Sequence, residues 1–237
     1  MSGLSPFQTA SAAQLAPHGL ELRGVVHFDG GEGGPPLRQG GTARTVLLVG
    51  HGGGALWPAF ERWRAEQADR GGAHPLDRWS KSVIGAIAEA VGASAYYPSD
   101  EPYQPFQRWA MMAEGLKASP LGILMHPRYG LWHGYRGALG LEAVIEGTNE
   151  AEVAIHPCDA CREKPCLSHC PARAVTASLF DVAACRRYLA QQAAGAACME
   201  KGCLARSACP VGAAYRYSEA QLRFHMEALE LTPAKRT

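Results

Sequence analysis

The chain has 237 residues, 47% of them hydrophobic and 19% charged, with a formal net charge of +1. Its more basic stretch, residues 151–237, carries 11 Lys/Arg against 8 Asp/Glu, or +3 by difference, which is too mild a field to argue for nucleic acid. No apolar run approaches a membrane span and MSGLSPFQTASAAQL lacks the basic start and apolar h-region of a signal peptide, so a cytoplasmic protein off the membrane is expected.

Residues 1–19 read as a poorly ordered lead-in, although Ser/Ala-rich starts sometimes form a short helix. Gly19 to Asp29 alternates polar and apolar residues as a strand does. The Gly/Pro-rich stretch 30–41 reads as a loop, and TVLLV, Thr45 to Val49, as a central buried strand. Gly50 to Gly54 (GHGGG) is read as a tight strand-to-helix turn before a helix over 55–70. Glycine amides at a helix start can cradle an anion, but Gly-Lys-Ser/Thr and the G-x-S-x-G elbow are both absent from the sequence. His74 to Val91 has Pro near its start and apolar residues every three or four positions, an amphipathic helix.

A strand is expected at Ala93 to Tyr97, a loop over 98–105 and a helix from Phe106 to Lys117. Leu121 to Met125 and Gly137 to Ile145 read as neighbouring strands around the segment His126 to Arg136 (HPRYGLWHGYR). Residues 147–157 read as a linker, 178–192 as a helix carrying Cys185, and 218–229 as a C-terminal helix. Mixed strands and helices without strict alternation indicate an α+β class.

All eight cysteines fall between Cys158 and Cys209. The first block is C-x2-C-x4-C-x3-C-P (Cys158, Cys161, Cys166, Cys170); the second, from Cys185, adds Cys198, Cys203 and Cys209 as C-x12-C-x4-C-x5-C-P. Paired blocks ending in Cys-Pro are the punctuation of a two-cluster iron–sulfur module, in which the fourth Cys of one block ligates the other cluster. That exchange groups Cys158, Cys161 and Cys166 with Cys209, and Cys170 with Cys185, Cys198 and Cys203, each set around one [4Fe–4S] cluster. The block spacings are wider than the usual bacterial ones.

Zinc does not favour paired Cys-Pro endings, a disulfide scaffold conflicts with a reducing compartment, and a single cluster leaves four cysteines unexplained. His156 and His169 read as solvent-facing loop residues beside the ligands. The expected division is residues 1–150, a large domain, and residues 151–237, a small metal-dependent one. Five Trp and most of the Tyr lie in the first part; they suit either an ordinary core or the lining for a large flat cofactor.

ILMHPRYGLWHGYRGALGLEAVIE, Ile123 to Glu146, resembles the cobalamin-binding stretch of the CblC-type cobalamin-processing family, with its H-P-[RE]-[FY]-G-x-W core. HPLDRWSKSVIGAI and TVLLVGHGGGALWPAFERW sit where that family has a D-P-x-D helix start and a first buried strand and helix. The likeness covers roughly residues 42–146, and the Cys region is expected to lack a counterpart in animal members. That region, with DVAACRRYLAQQ around its lone Cys185, resembles the epoxyqueuosine reductases, which couple a related cobalamin domain to two [4Fe–4S] clusters; reductive dehalogenases share the combination.

These resemblances imply a nitroreductase-like, cobalamin-binding α+β domain with a ferredoxin-like two-cluster tail. His126, Pro127, Tyr129, Gly130 and Trp132 would pack against the corrin. The chain ends at Thr237 without the helical-repeat tRNA domain of epoxyqueuosine reductases, and Asp100 matches their proton donor only loosely. The expected function is a cobalamin-dependent or cobalamin-processing oxidoreductase that removes an upper ligand or reduces cobalt, taking electrons from a donor the sequence does not identify. A ferredoxin-type electron carrier without corrin is the alternative, and an epoxyqueuosine-reductase-like enzyme the third reading.

Overall fold

Ser5, Pro6 and Gln8 turn a compositionally bland N-terminus into a helix. The Ser5 hydroxyl accepts from the Gln8 amide while the Gln8 side chain accepts from the Ser5 amide, a reciprocal capping box with Pro at the first helical position. The resulting α1, Pro6–Leu15, buries Ser11 and Leu15 completely. The lead-in expected over residues 1–19 is therefore corrected for the part described: a cap chosen by three side chains outweighs Ser/Ala-rich composition. The computed structural model describes residues 5–146, 156–191 and 197–229.

Along the chain follow β1 (Glu21–His27), β2 (Thr45–Gly52), α2 (Trp57–Glu66), α3 (Pro75–Ala90), β3 (Ser94–Tyr96), α4 (Phe106–Glu114), β4 (Lys117–Ala118), β5 (Leu124–Met125) and β6 (His133–Leu141). Then come short helices α5 (Pro157–Ala160) and α6 (Pro165–Ser168), the longer α7 (Val182–Gln191), α8 (Ala197–Lys201), α9 (Leu204–Ser207) and α10 (Glu219–Glu227). Much of the 147–157 linker lies outside the described residues.

Two compact units result. The first comprises Met1–Gly115 and Gly134–Ala154, the second Leu116–His133 and Ile155–Thr237. This differs from a single cut at residue 150. An excursion of the chain between α4 and β6 joins the cysteine-bearing unit, and with it goes the whole H-P-R-Y-G-L-W segment.

The first unit is built on a sheet of order β1-β2-β6-β3. β2 buries all but its last residue, as a continuous apolar run should in a central strand. It is longer than TVLLV and takes in His51 and Gly52, so the expected glycine turn starts only at Gly53, which has φ +57. α3 puts Trp79, Ile84 and Ile87 into the core, and α4 puts Phe106 and Trp109 there. α4 ends at Glu114, three residues short of the expected Lys117, and is closed by Gly115 at φ +63; a left-handed glycine closes a helix without Cβ strain.

The Trp residues settle mainly as core: Trp79, Trp109 and Trp132 are at most 3% exposed. A buried polar knot joins β1 to α4, where Arg23 donates to Glu114 at 2.7 Å and the Tyr135 hydroxyl donates to the same carboxylate at 2.8 Å. Burial, then the Glu114 charge, pushes the Tyr135 hydroxyl well above its ordinary value.

In the second unit, Leu121 to Met125 is not one strand. The Gly122 amide donates to Ser119 O and the Ser119 amide to Ile123 O, closing a hairpin in which β5 pairs with β4. β6 pairs instead with β3 in the other unit's sheet. The expected neighbours are thus separated because Gly122, φ +73, spends the middle of that apolar run on a turn.

Candidate functional site

All eight cysteines are free thiols, and the structure gathers them in two groups. One cavity is lined by Cys158, Cys161, Cys166 and Cys209 together with Met125 and Leu131. A second is lined by Cys170, Cys185, Cys198 and Cys203 with Tyr188, Leu189 and Met226. These are the two sets that an exchange of fourth ligands between blocks puts together.

Each cavity encloses about 30 Å3. Well-packed interiors hold few voids larger than a water, so these spaces beside the thiols stand out. Among the described residues, no three His, Cys, Asp or Glu close in on a point as the ligands of one metal ion do. The thiols instead stand around space.

Local structure explains how eight residues reach two centres. Cys158 and Cys166 ride on single-turn helices, each opened by a proline, and Cys203 caps α9. Cys185 sits on α7, whose buried Leu189 anchors it. The Cys170 sulfur accepts from the Ala174 amide at 3.4 Å. Neither Cys-Pro step leads directly into an α-helix: Pro171 opens a turn, and Pro210 precedes a 3-10 turn at Ala213–Tyr215.

Crowding raises the thiols' affinity for protons. Burial, then Cys209, Cys166 and Cys161, pushes Cys158 up to about 11. Burial, then Cys203, Cys170 and Cys198, does the same to Cys185, also to about 11.

The H-P-R-Y-G-L-W segment forms a tight hairpin against this unit. The His126 and Gly130 amides each donate to the other's carbonyl, at 2.9 and 2.8 Å, with Pro127 in the turn. Gly130 has φ +59, and a Cβ there would stand 2.0 Å from Val211 O, directly after Cys209-Pro210. The turn is therefore pressed against the second cysteine block where only glycine fits.

Arg206, between Cys203 and Cys209 in sequence, completes the clamp. It donates to Leu131 O, with its guanidinium carbon 4.3 Å from the Trp132 ring centre and 4.8 Å from that of Tyr217. Arg128 Nε donates to the Tyr215 hydroxyl at 2.7 Å. Sequence reading missed Arg206, Tyr215 and Tyr217; the signal was an Arg inside a Cys block and a Y-x-Y just beyond it.

The five segment residues expected at a corrin separate into two kinds. Gly130 and Trp132 are interior. Pro127 is exposed, while His126 and Tyr129 are half-buried, their rings stacked at 4.6 Å and 30°. His126 Nδ1 accepts from the Arg128 and Tyr129 amides, both at 3.0 Å. With Nδ1 accepting twice, the neutral ring carries its proton on Nε2, which is then a donor and not a lone pair. His156, expected to face solvent, is 9% exposed and its Nε2 lies 3.2 Å from Lys117 O; His169 is exposed as expected. No helix among the described residues is long and apolar enough to cross a membrane.

No family model matches the chain, and no curated protein does. Among solved structures it is similar to CblC of C. elegans, a B12-trafficking protein and homologue of human MMACHC. That match has 14% identity and a TM-score of 0.54, covering 95% of this chain and 92% of the other. Coverage of that extent runs into the cysteine-bearing region, correcting the expectation that it has no counterpart in an animal protein. At such identity the likeness is one of fold, and the chain has a mixed α+β, CblC-like fold.

Proposed function

We propose that the chain is an iron–sulfur, cobalamin-binding redox protein that reduces or processes corrinoids, with a ferredoxin-like module supplying the electrons. The observation that carries this reading is the sorting of eight cysteines into two four-thiol cavities, one of them lined by Met125 and Leu131 of the hairpin that bears His126. The structural neighbour's description as a B12-trafficking protein adds to it.

The donor sets fit: thiolates on short, amide-rich turns are what iron–sulfur clusters require, and an aromatic edge carrying an N–H suits a flat, amide-fringed ring. When bound, the clusters would pass single electrons and the corrin would supply the metal that accepts them. The chain's own part is positional. Cys158, Cys161, Cys166 and Cys209 would hold one cluster; Cys170, Cys185, Cys198 and Cys203 the other. Apolar Met125 and Leu131 keep water from the first. His126 would face the corrin periphery rather than bind cobalt, with Tyr129 stacked behind it and Pro127 in the turn. Gly130 and Trp132 hold that edge in place.

Anaerobic reconstitution with iron and sulfide, followed by titration with cyanocobalamin and a reductant, tests the reading through its spectrum. Binding with a corrin spectral change supports it. Loss of affinity of about 3- to 10-fold in His126→Ala, largely restored in His126→Gln, is expected if one hydrogen bond is at stake. A chain that takes up iron but leaves the corrin spectrum untouched is the corrin-free electron carrier instead.

A further inference from the structure

The widest departure of the first cysteine block from the usual spacing is the two extra residues between Cys161 and Cys166, which the proposed function leaves without a purpose. In the structure the widened gap, Arg162 to Pro165, includes Lys164, held at φ +42 before Pro165 opens α6. A lysine in the left-handed region costs energy that ordinary loops avoid. Lys164 is also shared: it lines both the cavity of Cys158, Cys161, Cys166 and Cys209 and an adjoining open groove of about 710 Å3. Cys158 is likewise common to both, so one of the four cysteines lines the groove as well as the cavity.

The groove combines two further features. Lys117 and Lys164 outnumber its one carboxylate, Asp159, and among the described residues neither lysine is ion-paired. Its rim carries Leu179 and Val182, 61% and 54% exposed, two large apolar side chains left in water beside a basic surface. Small, weak electron-transfer contacts are built this way, with an apolar centre and charges that steer approach. A hydride donor brings two electrons at once, whereas a single-electron centre behind Cys158 needs them one at a time.

We propose that this groove docks an acidic one-electron carrier protein, with Lys117 and Lys164 attracting it and Leu179 and Val182 forming the dry contact over Cys158. Each encounter moves one electron and no proton: the carrier is oxidised by one electron and the group held by Cys158, Cys161, Cys166 and Cys209 is reduced by one. The redox step rests on the proposed function; the docking does not.

The test uses the full chain, reconstituted and assayed for iron, with flavodoxin as the acidic probe. Oxidised flavodoxin is titrated while its NMR signals are followed, and reduced flavodoxin is mixed by stopped flow while cluster bleaching is recorded. Lys117→Glu/Lys164→Glu is expected to weaken binding and slow bleaching by ~10-fold or more at low salt, an advantage that added salt removes. Leu179→Ser/Val182→Ser should weaken binding at all salt concentrations, and dithionite, which needs no docking, should reduce every variant at the wild-type rate. Flavodoxin binding that is unaltered by charge reversal overturns the proposal, as does dithionite reduction slowed as much as the flavodoxin reaction. Failure to take up iron sinks the cluster reading alone, because the NMR titration still decides docking.

Discussion

The sheet unit and the cysteine unit fill their interiors with different materials. Around α2 and α3, Phe60 is fully buried, with ring contacts to Trp57, Trp63 and Trp79 at 5.4, 6.2 and 5.9 Å. Aromatic and aliphatic groups close that core unaided. The cysteine unit has mostly short helices, a two-stranded hairpin and a core in which Leu121, Met125, Leu131 and Val175 pack together with Cys170 and Cys209, beside two sulfur-lined cavities. On the proposed reading, the first region is stabilised by what its sequence buries and the second in part by what it would hold. A small unit whose core includes free thiols is one that a metal would help to stabilise.

Breaking the second region is expected to have the largest effect. After iron is stripped by chelation, amide protection over the cysteine unit should fall by ~100-fold or more while the sheet stays protected. Hydrogen exchange checks this, and equal loss in both regions would dissolve the contrast. Next is the first region's own test: Phe60→Ala should cost about 3–5 kcal/mol, as buried aromatic truncations do. Denaturant unfolding of the iron-loaded protein measures it, with iron content unchanged.

A smaller effect sharpens the join within the cysteine unit. Arg206→Met removes a cation held over two rings and a hydrogen bond to Leu131 O, at a cost of about 1–3 kcal/mol. Near-ultraviolet circular dichroism should report the freed Trp132, with both iron sets retained. An unchanged Trp132 signal would show that the clamp is not what holds the hairpin.

Legibility in the sequence followed physical range. β1, β2, α3, β3 and α10 could be read because their signals are local: alternation, an apolar run, Pro at a helix start, a Ser cap. The two cysteine blocks with their Cys-Pro endings are a local spacing pattern and so stand out in the sequence; their role as ligands belongs to the proposal. What escaped was long-range. Nothing between Leu121 and Met125 shows that Gly122 turns the chain back onto Lys117. The motif from His126 to Trp132 gives no hint that Gly130 backs onto Val211 from across the sequence. Trp132 looks like a ligand-facing aromatic until Arg206 and Tyr217 are seen to cover it.

The central claim, that the two cavities are two cluster sites, is most directly tested by iron and sulfide analysis of anaerobically reconstituted wild-type protein and its Cys209→Ser and Cys185→Ser variants. Wild type should hold about eight iron and eight sulfide per chain, and each variant about half, because each serine empties a different site. Zinc in place of iron, about four iron in wild type, or two variants that lose the same set would contradict it.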